Sequence, residues 1–167
     1  MAASQSVNYS LIVRATKTDT LDIGTAVDSV NKTYSDSLTN GTADNMADLM
    51  WRDTRSLAAT SEDLDLGGSL TDGLGDTLTI AKIRSLTIKN NNTTTGHTLS
   101  VGGATANAIS TLFAATTDIV VIQPNGLLHI EAPTDGYAVT TATADLLKID
   151  AGAVTISYDI IVIGTSA

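Results

Sequence analysis

The sequence predicts an all-β chain, an antiparallel β-sandwich with a jelly-roll-like body, an N-terminal β arm or hairpin and one short helix. Three observations carry the prediction. The 167 residues include 27 threonines and 14 serines, about a quarter of the chain, and threonine's β-branched side chain suits a half-buried strand. Charged residues make up only 16%, too few to furnish the solvent faces of many helices. Apolar residues recur at every second position in short runs separated by turn signals, with no helical repeats between them.

The first run places Val7, Tyr9, Leu11, Val13 and Ala15 in one phase. A polar break at Lys17-Thr18-Asp19 leads to a second run through Leu21, Ile23 and Val27. Two such runs across a polar link predict a hairpin or arm. Asn40-Gly41 marks a turn. Between Thr42 and Arg52, Ala43, Met46, Ala47 and Met50 recur at spacings of three and four behind capping residues, which predicts the short helix. The expected division is an N-terminal arm over 1–45, a helix and joint over 46–55, and a sandwich body over 56–167.

Within the body, Leu64 and Leu66 form a short strand closed by Gly67-Gly68. Leu78, Ile80, Leu86 and Ile88 share a phase that Lys82 and Arg84 also occupy while Ile83 falls out of it, so a bulge is expected near the middle. The run Ile119-Val120-Val121-Ile122 reads as a strand covered on both faces. Pro124-Asn125-Gly126 is a turn, with Leu128 and Ile130 returning as its partner strand. Asp135-Gly136 opens a strand through Tyr137 and Val139. The final strand keeps Val154, Ile156, Tyr158, Ile160 and Val162 in phase up to Gly164.

Composition narrows the function classes. A hydrophobic content of 43% and mean hydropathy of +0.16 argue against disorder. With no cysteine there is no disulfide framework, thiolate zinc site or cysteine nucleophile. Nine basic against eighteen acidic residues give −9 at pH 7, a surface that repels phosphate backbones, so no nucleic-acid partner is expected. No apolar run approaches the ~18 residues of a membrane span, and no basic, apolar leader is visible at the start. Neither a membrane partner nor export from the cytoplasm is therefore expected.

Candidate chemistry is sparse. His97 and His129 each lack a second histidine at ligand spacing. The clusters Glu62-Asp63-x-Asp65 and Asp72-Gly-Leu-Gly-Asp76 bring carboxylates near glycines but do not match the EF-hand spacing. Beyond Lys89 the only Lys or Arg is Lys148, so no cationic groove is expected there. Catalysis, cofactor and metal are not expected. From Asn90 to Thr117 no residue carries a formal charge, and Val101 and Leu112 in that window are candidates for contact between identical subunits.

Several motifs in order carry a resemblance: Asn40-Gly-Thr-Ala-Asp-Asn-Met-Ala-Asp48, Trp51-Arg-Asp-Thr-Arg-Ser-Leu-Ala58, Glu62 to Gly75, Val101-Gly-Gly-Ala104, Ala132 to Val139 and Tyr158 to Gly164. Together, over residues 38–167, they resemble small virion proteins of tailed bacteriophages, of the head decoration, cement or minor capsid kind. The resemblance implies a trimeric β-sandwich that clamps the phage major capsid protein on the outer capsid surface after assembly in the host cytoplasm, with no catalytic residues. A tail- or fibre-associated adhesin is the alternative it leaves open, and a carbohydrate-binding module is a further one, disfavoured by a 4% aromatic content. On this reading Tyr9, Leu11 and Val13 of the arm are interaction residues. Trp51, Arg52 and Arg55 mark the joint, where the arginines would pair with Asp48, Asp53 or a capsid acid.

Overall fold

The computed structural model describes residues 4–167, and the first three residues of the expected 1–45 arm lie outside them. Among the described residues thirteen strands follow one another: β1 (Val7–Leu21), β2 (Gly24–Leu38), β3 (Leu49–Ala58), β4 (Ser61–Asp65), β5 (Leu70–Thr71), β6 (Thr77–Leu78), β7 (Lys82–Asn90), β8 (Leu99–Gly102), β9 (Ile119–Ile122), β10 (Leu127–Glu131), β11 (Tyr137–Ala138), β12 (Leu146–Asp150) and β13 (Thr155–Thr165). All paired strands are antiparallel.

The body is a two-layer sandwich. One sheet runs β10-β7-β13-β3, with β11 also on β7, and the other runs β4-β12-β8-β9. Early strands pair with late ones in reverse order: β3 with β13, β4 with β12, β7 with β10, β8 with β9. Successive pairs alternate between the sheets; β13–β7 pairing joins the two pairs of the first sheet and β12–β8 pairing the two pairs of the second. A long antiparallel ribbon folded back between β8 and β9 and then rolled up has this strand order, which is that of a jelly roll.

Alternation explains the core. Ile156, Tyr158, Ile160 and Val162 of β13 are all fully buried and meet Leu86 and Ile88 of β7 and Leu147 and Ile149 of β12. Each such side chain contributes roughly 1.5–3 kcal/mol over leaving it in water. The expected bulge is present at Arg84: Ile163 lies opposite Ser85 and Gly164 opposite Ile83, so Arg84 is the extra residue. Gly164 accommodates it, since a Cβ there would stand 2.5 Å from the Lys82 carbonyl oxygen.

Three expectations are corrected. No helix occurs among the described residues. Residues 42–48 form an irregular loop, and from Leu49 the chain is β3, paired in register with β13 from Leu49↔Gly164 to Ala58↔Thr155. Pairing along a whole strand overrides the weak helical spacing. The hairpin turns at Asp22-Ile23, not at Lys17–Asp19; Lys17 lies opposite Asp28 and Asp19 opposite Ala26 within the ladder. A ribbon wet on both faces holds charges mid-strand without cost when they face an opposite charge. Finally, β9 is an edge strand whose Ile119 and Val121 are exposed, not a strand covered on both faces.

Candidate functional site: the arm and its mount

The most distinctive feature is the β1–β2 ribbon. Its fifteen consecutive pairs run from Val7↔Leu38 to Leu21↔Gly24, a length of about 50 Å at ~3.4 Å per residue. Pleating puts Leu11, Tyr34, Val13, Ala15 and Val30 on one face together with Lys17, Asp19, Asp28, Lys32 and Asp36, and the other face is mainly Ser, Thr and Asn around Ile12, Arg14 and Val27. Leu11, Val13, Val30 and Tyr34 are 43–57% exposed, and Ile23 at the tip is fully exposed. Between Val7 and Leu38, three basic residues against four acidic ones leave a net charge of −1, so −8 of the chain's −9 lies elsewhere.

Only the root of the ribbon is buried. Val7 and Tyr9 pack on a small cluster of Leu38, Ala47 and Ile163, on the outer side of the β7–β13 sheet. The Tyr9 ring meets His129 edge-on, with centroids 6.2 Å apart. Burial, then the negative charges of Glu131 and Asp36, push the Tyr9 phenol up to about 12, so it stays neutral at ordinary pH. His129 is held on both nitrogens, by the Thr87 hydroxyl at 2.7 Å and by the Glu131 carboxylate.

Arg84 fastens this root. It is fully buried, and its guanidinium donates to the carbonyls of Ala43 (2.9 Å), Thr42 (3.4 Å) and Thr134. A flat fork of donors reaches two loops at once, which a lysine ammonium does less well. The Asn45 amide adds a bond to the Pro133 carbonyl at 2.9 Å. Asp48 accepts from the Ser166 amide and hydroxyl at 2.8 and 2.5 Å, tying the same loop to the end of β13. Residues 39–48 are thus part of the body, and the projecting arm is β1–β2 alone.

The other expected site residues separate into different environments. Leu11 and Val13 are exposed on the ribbon, and Tyr9 is its half-buried foot. Trp51 is a core residue at 4% exposure, and Val101 is wholly buried; neither side chain offers a contact surface, because both point between the sheets. Leu112 packs half-buried with Phe113 against the core, beside a groove of about 590 Å³ that also touches Ile119. Arg55 pairs with Asp53 at 2.9 Å as expected, yet its closest partner is Glu62, approached by two nitrogens at 2.8 and 2.5 Å. The Tyr158 hydroxyl donates to the other Glu62 oxygen at 2.7 Å, and burial followed by this bond drives the Tyr158 phenol far above its ordinary range. Arg52 makes no hydrogen bond or ion pair among the described residues and lines an open groove with Asn40, Met50 and Leu74.

The acidic loops are internally occupied. Asp72 accepts from the amides of Asp76 (2.9 Å) and Leu74 (2.8 Å), which lowers its pKa below the ordinary carboxylate value and closes the β5–β6 turn. Asp65 accepts from the Gly67 amide at 2.8 Å. Among the described residues, no three His, Asp or Glu side chains converge as a metal site would require.

From the sequence, Arg84 stands only near a bulge and Glu62 only in an acidic cluster, and neither is marked for the contacts it makes here. The signal for Arg84 was the phase slip between Ile83 and Leu86, which marks a bulge that re-aims one side chain. Glu62 had no local signal, since it meets Arg55 and Tyr158 only through the register of β3, β4 and β13. No protein-family model, no curated protein and no solved structure matches this chain.

Proposed function

We propose that the chain is a non-catalytic structural protein of a virus particle, a decoration protein seated on the outer surface of a tailed phage capsid, with the major capsid protein as its partner. The observation that carries this reading is a jelly-roll body bearing a rigidly mounted ribbon of fifteen residue pairs whose large apolar side chains Leu11, Val13, Val30 and Tyr34 are open to solvent. An isolated two-stranded hairpin is marginal in water, so such a ribbon is built to be completed by another surface. The acidic body keeps the protein off nucleic acid, and the order of motifs noted above points to the same class. A carbohydrate-binding role loses its usual instrument, because the single Trp lies in the core.

The test is a variant in which Tyr9 is joined to Asp36 by an Asn-Gly turn, deleting the ribbon while keeping its foot and the Arg84 contacts. The full chain should co-sediment with heads of its own virus that lack it, and the shortened chain should not. Equal binding by both would remove the arm from attachment. Absence of the full chain from purified particles would overturn the reading.

A further inference from the structure

The arm crosses one sheet and runs out over its edge. The Gln5 side chain donates to the Leu49 carbonyl of β3 at 3.3 Å, Val7 packs on the cluster that holds Ile163 of β13, and Tyr9 meets His129 of β10. Those strands lie in the order β3-β13-β7-β10. Four residue steps at ~3.4 Å and three strand spacings at ~4.8 Å both come to about 14 Å, so the chain from Gln5 to Tyr9 lies straight across the sheet. β10 is the outermost strand there. Leu11, two steps or ~6.8 Å further on, and its ladder partner Tyr34 therefore overhang the place where one more strand would run, ~4.8 Å from β10. Both belong to the face that Val7 and Tyr9 turn toward the sheet.

The edge beneath this overhang is unfinished in two ways. The Asn90 amide donates to the Gly126 carbonyl and the Ala132 amide to the Arg84 carbonyl. The alternation of an antiparallel ladder then bonds Leu128 and Ile130 to β7 and turns the amides and carbonyls of Leu127, His129 and Glu131 outward. None of these six groups has a hydrogen-bond partner among the described residues. Leu128 and Ile130, in turn, face the interior yet stay half-buried, while Leu86 and Ile88 opposite them are fully buried. At the other edge of the same sheet Trp51 and Leu57 of β3 are buried, so the core is left open along β10 alone of the two. One extended strand laid against β10 meets every deficit. It pairs the six backbone groups, covers Leu128 and Ile130 from its inner face, and covers Leu11 and Tyr34 from its outer face.

Charge sets one further requirement. Glu131 lies on the outer face of β10 with one oxygen on His129 and the other unpaired among the described residues, and Asp36 stands beside Tyr9 on the underside of the arm. A basic residue opposite Glu131 answers both. We infer that the β10 edge, roofed by Leu11 and Tyr34 of the arm, binds an extended segment of a partner chain by antiparallel strand addition, a segment that is apolar under the roof and toward the core and basic opposite Glu131. Main-chain bonds supply the affinity of such a contact and the side chains its selectivity. This deepens the attachment role proposed above by stating what the arm closes over, and it rests on that reading only in taking the occupant from a partner. The ribbon is ~10 Å wide and spans about three residues of the added strand, so a single contact is weak.

The probe is the acetylated, amidated peptide Ser-Lys-Val-Val-Val-Thr-Ser, whose lysine falls opposite Glu131 and whose central valine falls opposite His129. It is titrated to ~2 mM into the full chain and followed by amide shifts and hydrogen exchange. The amides of Leu127, His129 and Glu131 should exchange at least about tenfold more slowly, with those of β3 unchanged. Methylating the nitrogen of the central valine removes its bond to His129 and should weaken binding about tenfold, whereas methylating the valine after it, whose N–H points away from β10, should not. Leu11→Ser with Tyr34→Ser, at two exposed positions, keeps the native circular dichroism and should bind about fivefold more weakly; glutamate for the peptide's lysine should do the same. No binding by ~2 mM, indifference to which valine is methylated, equal binding by the serine variant, or unchanged exchange at the three amides overturns the inference. So does their protection in the chain alone together with the mass of a dimer by light scattering, since the edge then belongs to a second copy. Heads bound through the ribbon with the three amides still open overturn the strand addition and leave the attachment role standing; a peptide bound as described by a chain that ignores heads supports the strand addition and removes the attachment role.

Discussion

Replacing Arg84 tests whether the arm is clamped or merely tethered. The guanidinium is fully buried with no carboxylate paired to it; its two terminal nitrogens donate to the backbone carbonyls of Ala43, Thr42 and Thr134, and its Nε has no partner among the described residues. Hydrogen bonds to a charged group contribute roughly 1.5–3 kcal/mol each; the 3.4 Å contact to Thr42 is long and counts for little. The two good bonds then amount to about 3–6 kcal/mol. Arg84→Met forfeits them and strands two carbonyls, but it also removes a buried charge whose desolvation costs several kcal/mol. The net loss should be about 2 kcal/mol. Arg84→Lys keeps the buried charge while losing the fork that spans both loops, so it should cost more, about 3 kcal/mol. Urea unfolding gives both values. Hydrogen exchange should show the amides of Asn45, Met46 and Ala47 opening faster in each variant. If both substitutions change stability by under ~0.5 kcal/mol, or if those amides keep wild-type protection, Arg84 does not hold the mount.

Two further outcomes follow from the body. Tyr158→Phe leaves one Glu62 oxygen without its donor and should cost about 1.5–2 kcal/mol at neutral pH; because the folded phenol titrates above the unfolded one, the wild type holds this stability below about pH 10 and loses it as pH rises beyond, so the variant's melting temperature should fall less steeply between about pH 10 and 12, and parallel curves would refute the linkage. Val101→Asp buries a carboxylate in the core and should leave the protein unfolded by circular dichroism, whereas Leu112→Asp, at a half-buried position, should fold with a loss of about 1–2 kcal/mol; a folded Val101→Asp would contradict the sandwich.

The body was largely legible because burial writes a period into a strand. β13 is the clearest case: its in-phase residues Ile156 to Val162 are the fully buried ones, and the Pro124-Asn125-Gly126 turn closes with the Gly126 amide on the Gln123 carbonyl at 2.8 Å. The phase slip before Leu86 located a bulge that the structure puts at Arg84. What was not legible depends on partners distant in sequence. Met46 and Ala47 have helical spacing from Ala43 and Met50, yet Ala47 is buried under the arm's root and Met50 lies on β3 opposite Ile163. The turn at Asp22-Ile23 is not legible because water on both sides of a ribbon removes the penalty that normally keeps charges such as Lys17 and Asp19 out of strand interiors. The arm itself was legible as alternating strands; that residues 39–48 bind the body was not, since nothing local in that segment announces the bonds to Arg84 and Pro133.

The bulge and the arm are two parts of one arrangement. A ribbon beyond Tyr9 buries little of its own surface, so cross-strand pairs and ladder hydrogen bonds must offset roughly 1–2 kcal/mol of backbone entropy per residue almost unaided. A flexible connection would add the entropy of aiming the ribbon to that deficit. The bulge removes this second term: it displaces one residue from the β7 ladder and lets a buried arginine grip both loops beneath the root, so the ribbon leaves the body in a set direction. The first term is not removed by anything in the single chain. On the attachment role proposed above, a partner that covers Leu11, Val13, Val30 and Tyr34 would offset more of it, while the arm's direction is already fixed within the single chain. Order along the ribbon should therefore increase toward its tip when that partner binds, while the root, already held by Arg84 and Tyr9, stays as it is.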